Sequence, residues 1–330
     1  MSQLISVIIV AHDREEYIEE ALESVMTQEM DDNPLEIILV KNFPDNGSQQ
    51  INKNVKIKSI VIPGQSTVTE KLAIGIENSE GQLLLFLEDD DLFLPGHIRE
   101  VIKAFHTNEN LCLFHNSNDF LVRRKIKHNF QLGSSLKFDL LFDKNVDNDV
   151  LDSYLSMNIS YNMSSISIEK RILVNCTHTL RKIVSSPDMF VFLCALSSGR
   201  KILATKSVLT RVRVHDTMSR AIGSYDQFYK KSVEMRKVFF KDFNFMTRTI
   251  VDKKFRTLCE RESLERYILL ALSDRNYGRT SVIPLLGDYL KFLTKKVRIK
   301  SNYLFVIVGL LITPNLLRQL YYIRNVKLLL

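Results

Sequence analysis

The sequence predicts an α/β fold: a mostly parallel sheet with helices on both faces, followed by a helical C-terminal region. Three features carry that prediction. Short apolar, β-branched runs recur through the first third, helical-period segments separate them, and from about Ser224 the pattern is helical to the end. Strands that are apolar throughout are the kind buried on both faces, as in parallel sheets. The 330 residues suffice for about two domains. Hydrophobic residues make up 45% and charged residues 25%, which excludes wholesale disorder.

Ile5–Val10 is the first strand. Glu15–Thr27 then places Tyr17, Ile18, Ala21, Leu22, Val25 and Met26 at helical spacing. Leu35–Val40 is the second strand, followed by turn chemistry at Pro44-Asp-Asn-Gly47, and Lys58–Ile62 is a short third. Thr67–Asn78 reads as a helix with Gly81 beyond its end, and Leu83–Leu87 as the fourth strand. A nucleotide site in such a sheet lies at the carboxyl ends of the strands. The middle is less regular. Leu111–Phe114, Phe120–Val122 and Met163–Ile168 read as strands, Met189–Leu196 as an apolar helix after Ser185-Ser-Pro-Asp188, and Lys201–Leu203 and Val208–Val214 as closing strands. The expected division is a domain over 1–223, with halves 1–110 and 111–223, a helical region over 224–330, and a basic, apolar tail over 291–330.

The net charge of +7 is concentrated in that tail. Eight of the 45 basic residues lie from Lys291 on, where there is no Asp or Glu, leaving 37 basic against 38 acidic residues elsewhere. This placement fits an anionic membrane surface and argues against a nucleic-acid groove, which needs a basic face on the folded domain. Tyr303–Ile312 is continuously apolar but as a helix spans only about 15 Å, half of a hydrocarbon core of about 30 Å. Thr313-Pro-Asn315 then breaks it. The expectation is a segment lying on the membrane surface; the alternative is a helical cap packed on the body. The four cysteines are widely spaced with no CxxC pair, so neither a zinc site nor a disulfide framework is indicated. No signal peptide is visible, which gives the sequons at Asn46, Asn158, Asn162 and Asn175 little weight and makes the cytoplasm the expected compartment, peripheral at the inner face of the cell membrane.

The sharpest chemical feature is Glu88-Asp-Asp-Asp91 at the end of the apolar strand Leu83–Leu87. Adjacent carboxylates at a buried strand end suffer mutual repulsion and desolvation, which a hard divalent cation such as Mg²⁺ or Mn²⁺ relieves through oxygen ligands. The alternative is an acidic loop beside a helix N-terminus at Pro95. Asp188 opens the helix Met189–Leu196 about a hundred residues later, and His215 ends the strand Val208–Val214.

In these residues the chain resembles the family 2 glycosyltransferases of the GT-A fold, inverting enzymes that use nucleotide sugars. The likeness covers roughly residues 4–220. It rests on Ser6-Val-Ile-Ile-Val-Ala-His-Asp-Arg14 with the helix ending in Gln28, on Gly75 through Gly81 to the acidic cluster and Pro95 (the DxD signature), on Ser186-Pro-Asp188, and on Arg213-Val-His215. The resemblance implies a Rossmann-like sheet and a metal-dependent transfer from a nucleoside-diphosphate sugar, a UDP-sugar in the first instance. The acceptor it implies is a hydroxyl on a lipid-linked saccharide or cell-surface glycan precursor. It implies Asp188 as catalytic base, and Ala11, His12, Asp13, Arg14, Asn42, Lys71 and Asp89 as nucleotide and donor contacts. Asp90, Asp91 and His215 form the implied metal group, with Mn²⁺ or Mg²⁺ as cofactor and Asp91 in a supporting place.

The chain departs from the family pattern at three points. Lys41-Asn42-Phe43 replaces paired acids before a turn, Leu72-Ala73 replaces an Arg-Asn pair, and Pro187 stands where Glu commonly precedes the base. Two other readings compete: a glycosyltransferase-like binding or scaffold protein whose site has drifted, and a metal-dependent nucleotidyltransferase.

Overall fold

The computed structural model describes residues 3–30, 32–44, 55–62, 64, 66–122, 136–214, 225–294, 299 and 301–327. They group into two compact units, one within 3–214 and the other within 225–327. The expected metal contact His215 lies outside the described residues.

The first unit runs β1 (Ile5–Val10), α1 (Glu15–Met26), β2 (Leu35–Lys41), β3 (Lys56–Val61), α2 (Val68–Asn78), β4 (Leu83–Glu88), β5 (Leu92–Phe93) and α3 (His97–Thr107). It continues with β6 (Leu111–Val122), β7 (Leu140–Phe142), α4 (Asn148–Ser156), β8 (Ile166–Glu169), α5 (Lys170–Leu173), α6 (Thr177–Leu180), α7 (Pro187–Ser197) and β9 (Lys201–Val214). Among the described residues these strands form one nine-stranded sheet ordered β3-β2-β1-β4-β8-β6-β9-β5, with β7 beside β9. The pairs β3–β2, β2–β1 and β1–β4 are parallel. Beyond β4 the sheet is mixed, because β8 runs antiparallel to both β4 and β6 while β6 and β9 are parallel.

The parallel half is held by its apolar runs. Every residue of β1 and β2 is buried, as a strand covered on both faces requires. α2 packs so closely that a Cβ on Gly75 would lie 2.4 Å from Ile8 Cγ2. A Cβ on Gly81 would meet Ser6 N at 2.7 Å and Leu4 O at 2.9 Å. Both glycines are therefore set by close approach of backbone and helix. Thr67 caps α2, its side chain accepting from Glu70 N at 3.1 Å.

Two expected strand pairs turn out to be single strands: Leu111–Val122 and Lys201–Val214 are each continuous, with register shifts between them. The start expected for Met163–Ile168 is instead a 3₁₀ turn at Met163–Ser165, and β8 follows it.

The second unit is helical: α8 (Tyr225–Thr249), α9 (Lys253–Ser273), α10 (Arg279–Thr294), α11 (Asn302–Ile312) and α12 (Pro314–Lys327). Leu264, Ile268, Leu285, Phe292, Ile307 and Leu310 are among the buried side chains of its own core. Among the described residues no helix is long and apolar enough to cross a membrane.

Candidate active site

The carboxyl ends of β1, β2 and β4 bring most of the expected residues together. Ala11 is buried after β1, its N–H donating to Val40 O at 2.9 Å. His12 N–H donates to Asp89 Oδ2 at 3.0 Å, tying the first loop to the acidic cluster. Asp13 adopts a left-handed backbone (φ 57°), which Asp tolerates better than most residues. Its N–H donates to Asn42 Oδ1 at 3.1 Å, and Asn42 Nδ2 donates back to Asp13 Oδ1 at 2.6 Å. The loops after β1 and β2 are thereby clasped. Lys71, on α2, is buried with Nζ 2.6 Å from His12 Nδ1. Burial lowers its pKa, and the charges of Asp13 and Asp89 offset part of that shift.

Asp89, Asp90 and Asp91 are all buried, and their neighbours differ. Arg14 reaches across the first two: Nη1 donates to Asp90 Oδ2 at 2.8 Å, while Nη2 donates to Asp89 Oδ1. Arg14 thus ion-pairs with the acidic cluster, a closer engagement than the pocket lining expected of it. Asp91 faces the other way. Its Oδ2 accepts from Ser164 Oγ at 2.7 Å and Asn162 Nδ2 at 3.3 Å, and its Oδ1 accepts from Arg213 N at 3.0 Å. These bonds tie Asp91 to β9 and to the turn before β8. Burial pushes Asp89 up to about 6, against the pull of Arg14. Burial and the neighbouring Asp90 push Asp91 up to about 7. Both shifts register negative charge crowded into a poorly hydrated corner.

Asp188 sits in the first turn of α7, after the Pro187 that opens the helix. Its Oδ1 accepts from Met189 N at 2.8 Å and its Oδ2 from Asn162 N at 3.1 Å. Burial raises its pKa to about 6 despite those bonds, a suitable range for a general base.

Two residues to which the sequence assigned no role organise this arrangement. Asn162, at φ 72°, holds Asp188 with its backbone and Asp91 with its side chain, while its Oδ1 accepts from Ser164 N at 3.0 Å. In the sequence it stood out only as a sequon. The usable signal was an Asn two residues before Ser, in a polar stretch between apolar segments, where an Asx turn forms. Arg213 was noticed only beside His215. It is buried against the ring of Tyr17, 4.5 Å from the centroid, with Nε donating to Asp90 O at 3.0 Å and Nη2 paired with Glu20. It fastens the acidic loop to α1 and β9. Gln28, at the end of the first helix, makes a second clasp: Nε2 donates to Leu94 O at 3.0 Å and Oε1 accepts from Ile98 N.

Among the described residues no group of three His, Cys, Asp or Glu side chains stands ready as a metal cage. The donors present are hard carboxylate oxygens of the type Mg²⁺ and Mn²⁺ prefer, and such ions commonly take only one or two carboxylates beside substrate phosphates. The residues fit a cation of that kind completed by a diphosphate.

Residues 6–166 match the glycosyl transferase family 2 domain. That stretch is a family 2 glycosyltransferase domain, and the protein is a glycosyltransferase. The fold is shared with solved structures of low sequence identity. The S. aureus TarS 1-349 structure is 13% identical, covering 99% of this chain and 88% of that one at a TM-score of 0.54. The same protein in complex with UDP-GlcNAc aligns at 14% identity, with the same coverage and a TM-score of 0.55. The mannosyltransferase PcManGT from Pyrobaculum calidifontis, in complex with GDP-Man and Mn²⁺, is 9% identical, covering 98% of this chain and 88% of that one at a TM-score of 0.52. No curated protein matches the chain in sequence. The GT-A fold expected from the sequence is thus borne out, and the family match favours sugar transfer over nucleotidyl transfer.

Proposed function

We propose that this glycosyltransferase moves a sugar, with inversion, from a nucleoside-diphosphate sugar to a hydroxyl acceptor on a lipid-linked saccharide or glycan precursor, at the cytoplasmic face of the membrane. The observation that carries the reading is one connected network. Asp89 and Asp90 join the loop after β1 through His12 and Arg14, and Asp91 joins Asp188 through Asn162. The complexes of TarS with UDP-GlcNAc and of PcManGT with GDP-Man support a nucleotide sugar as donor.

In this reading His12, Asp13, Asn42 and Lys71 line the nucleoside and diphosphate, and Asp89 faces the ribose or sugar. Asp90, supported by Asp91 and joined by His215, would hold Mn²⁺ or Mg²⁺, the ion bound by PcManGT being Mn²⁺. A bound divalent ion supplies Lewis-acid stabilisation of the negative charge on the departing diphosphate. The ammonium of Lys71 adds positive charge on the same side. Asp188 accepts the proton of the acceptor hydroxyl, so that the new bond forms on the face opposite the leaving group and the anomeric centre inverts. Arg213 and Asn162 keep the acids and the base in fixed relation.

The test is a panel of nucleotide sugars with Mn²⁺ or Mg²⁺, scored for nucleoside diphosphate release. Release with one donor, abolished by Asp90→Ala and by Asp188→Ala, is expected. Unchanged turnover in both variants would overturn these roles.

A further inference from the structure

The second unit has an outward face that its own core does not use. On α11, Tyr303, Ile307 and Leu310 point into the core, while Phe305, Val308 and Ile312 face solvent, Phe305 at 75% and Ile312 at 64% exposure. On α12 the exposed row continues with Leu316, Leu320 and Ile323. Within each helix these residues recur every three or four positions, one per turn. A helix on the surface of a soluble protein normally turns polar residues outward, so a continuous apolar row marks a contact face.

The charge of this stretch of sequence selects the partner. From residue 289 to the end there is no Asp or Glu, against eight Lys and Arg. One of the eight is not available: Arg318 is buried and donates to the carbonyls of Ala271, Asp274 and Tyr277. Lys291 is exposed and ion-pairs with Asp288 on its own helix at 2.8 Å, and the other six lie outside the residues whose side chains are described. A second copy of this segment would bring like charges together with no acid to pair them. An anionic lipid surface both neutralises them and accepts the apolar row.

We infer that α11 and α12 dock flat on an anionic bilayer, sinking Phe305, Val308, Ile312, Leu316, Leu320 and Ile323 into the headgroup–acyl boundary without crossing it. This deepens the membrane-side placement proposed above and rests on it. α11, with 11 residues, is about 16 Å long, so it can lie on a bilayer but not span one.

The test is flotation of the full chain with phosphatidylcholine vesicles, with and without phosphatidylserine, alongside nucleoside diphosphate release in solution. The wild type is expected to float with the anionic vesicles and to lose binding as salt rises. The triple variant Phe305→Ser, Ile312→Ser, Leu316→Ser should bind on the order of a hundredfold more weakly while its release of nucleoside diphosphate is unchanged. Val251→Ser, which removes an exposed apolar residue outside these two helices, should float like the wild type. No flotation of the wild type, or equal flotation of the triple variant, overturns the inference. So does light scattering that shows a non-floating dimer which the triple variant turns into a monomer. Lost flotation with intact sugar transfer removes only the docking surface; lost transfer with intact flotation removes only the catalytic reading.

Discussion

The two edges of the parallel half-sheet both bury carboxylates, and they treat them in opposite ways. At the amino edge Glu36 accepts hydrogen bonds from Ser6 Oγ, Glu80 N and Gly81 N. Burial alone would raise its pKa, but those bonds prevail and hold it below the usual carboxylate value. At the carboxyl edge burial prevails for Asp89, Asp91 and Asp188, all of which are raised. One edge is a completed structural joint. The other crowds acids that resist ionising, as a site does when a cationic partner is to complete it.

The largest effect should come from removing the base. Asp188→Asn is expected to lower turnover by about 10²–10⁴-fold while leaving donor binding, read by thermal shift, close to wild type. Next comes Asn162→Ala. It loses the side-chain link to Asp91 and puts a Cβ-bearing residue without amide compensation at φ 72°, so misplacement of Asp188 should cost on the order of a hundredfold in kcat. Asn162→Gly, which relieves the backbone but still lacks the link, should recover only part of that loss.

The pH profile comes third. An acid raised from 3.8 to about 6 contributes stability that is present below its unfolded value and lost as pH rises through 6. The base works only when deprotonated, so turnover should climb through an apparent pKa near 6 as that stability falls. A flat profile between pH 5 and 7 (working range taken as roughly one unit about that value) would remove Asp188 from the role. The smallest catalytic effect belongs to the amino edge. Glu36→Gln should lower unfolding stability by about 1–3 kcal/mol in denaturant titration and leave turnover unchanged. Lost turnover in a folded Glu36→Gln protein would erase the contrast between the edges.

The parallel half was legible because its elements are locally self-consistent. Ile5–Val10 is the strand read from its apolar run, and Val68–Asn78 begins one residue after its capping Thr67. β6 was read as two pieces because His115, Asn116, Ser117 and Asn118 interrupt its apolar pattern. All four are buried, and polar partners include Tyr161 O for His115 and Thr210 Oγ1 for Asn116. Such partners lie far away in sequence and leave no periodic trace. The site divides similarly. The acids and Asp188 were recognisable as residue types at strand and helix ends, whereas Arg14 on the acid pair, Arg213 beneath it and Asn162 between acid and base are products of tertiary contact.

The proposed roles turn on Asp89 and Asp90 forming a cation-assisted seat for a sugar-bearing diphosphate. Calorimetric titration of the full chain with the active donor, with and without Mn²⁺, tests it most directly. Tight binding that needs the metal, is lost in Asp90→Asn and survives in Glu36→Gln is the predicted result. Equal binding by wild type and Asp90→Asn, indifferent to the metal, would contradict it.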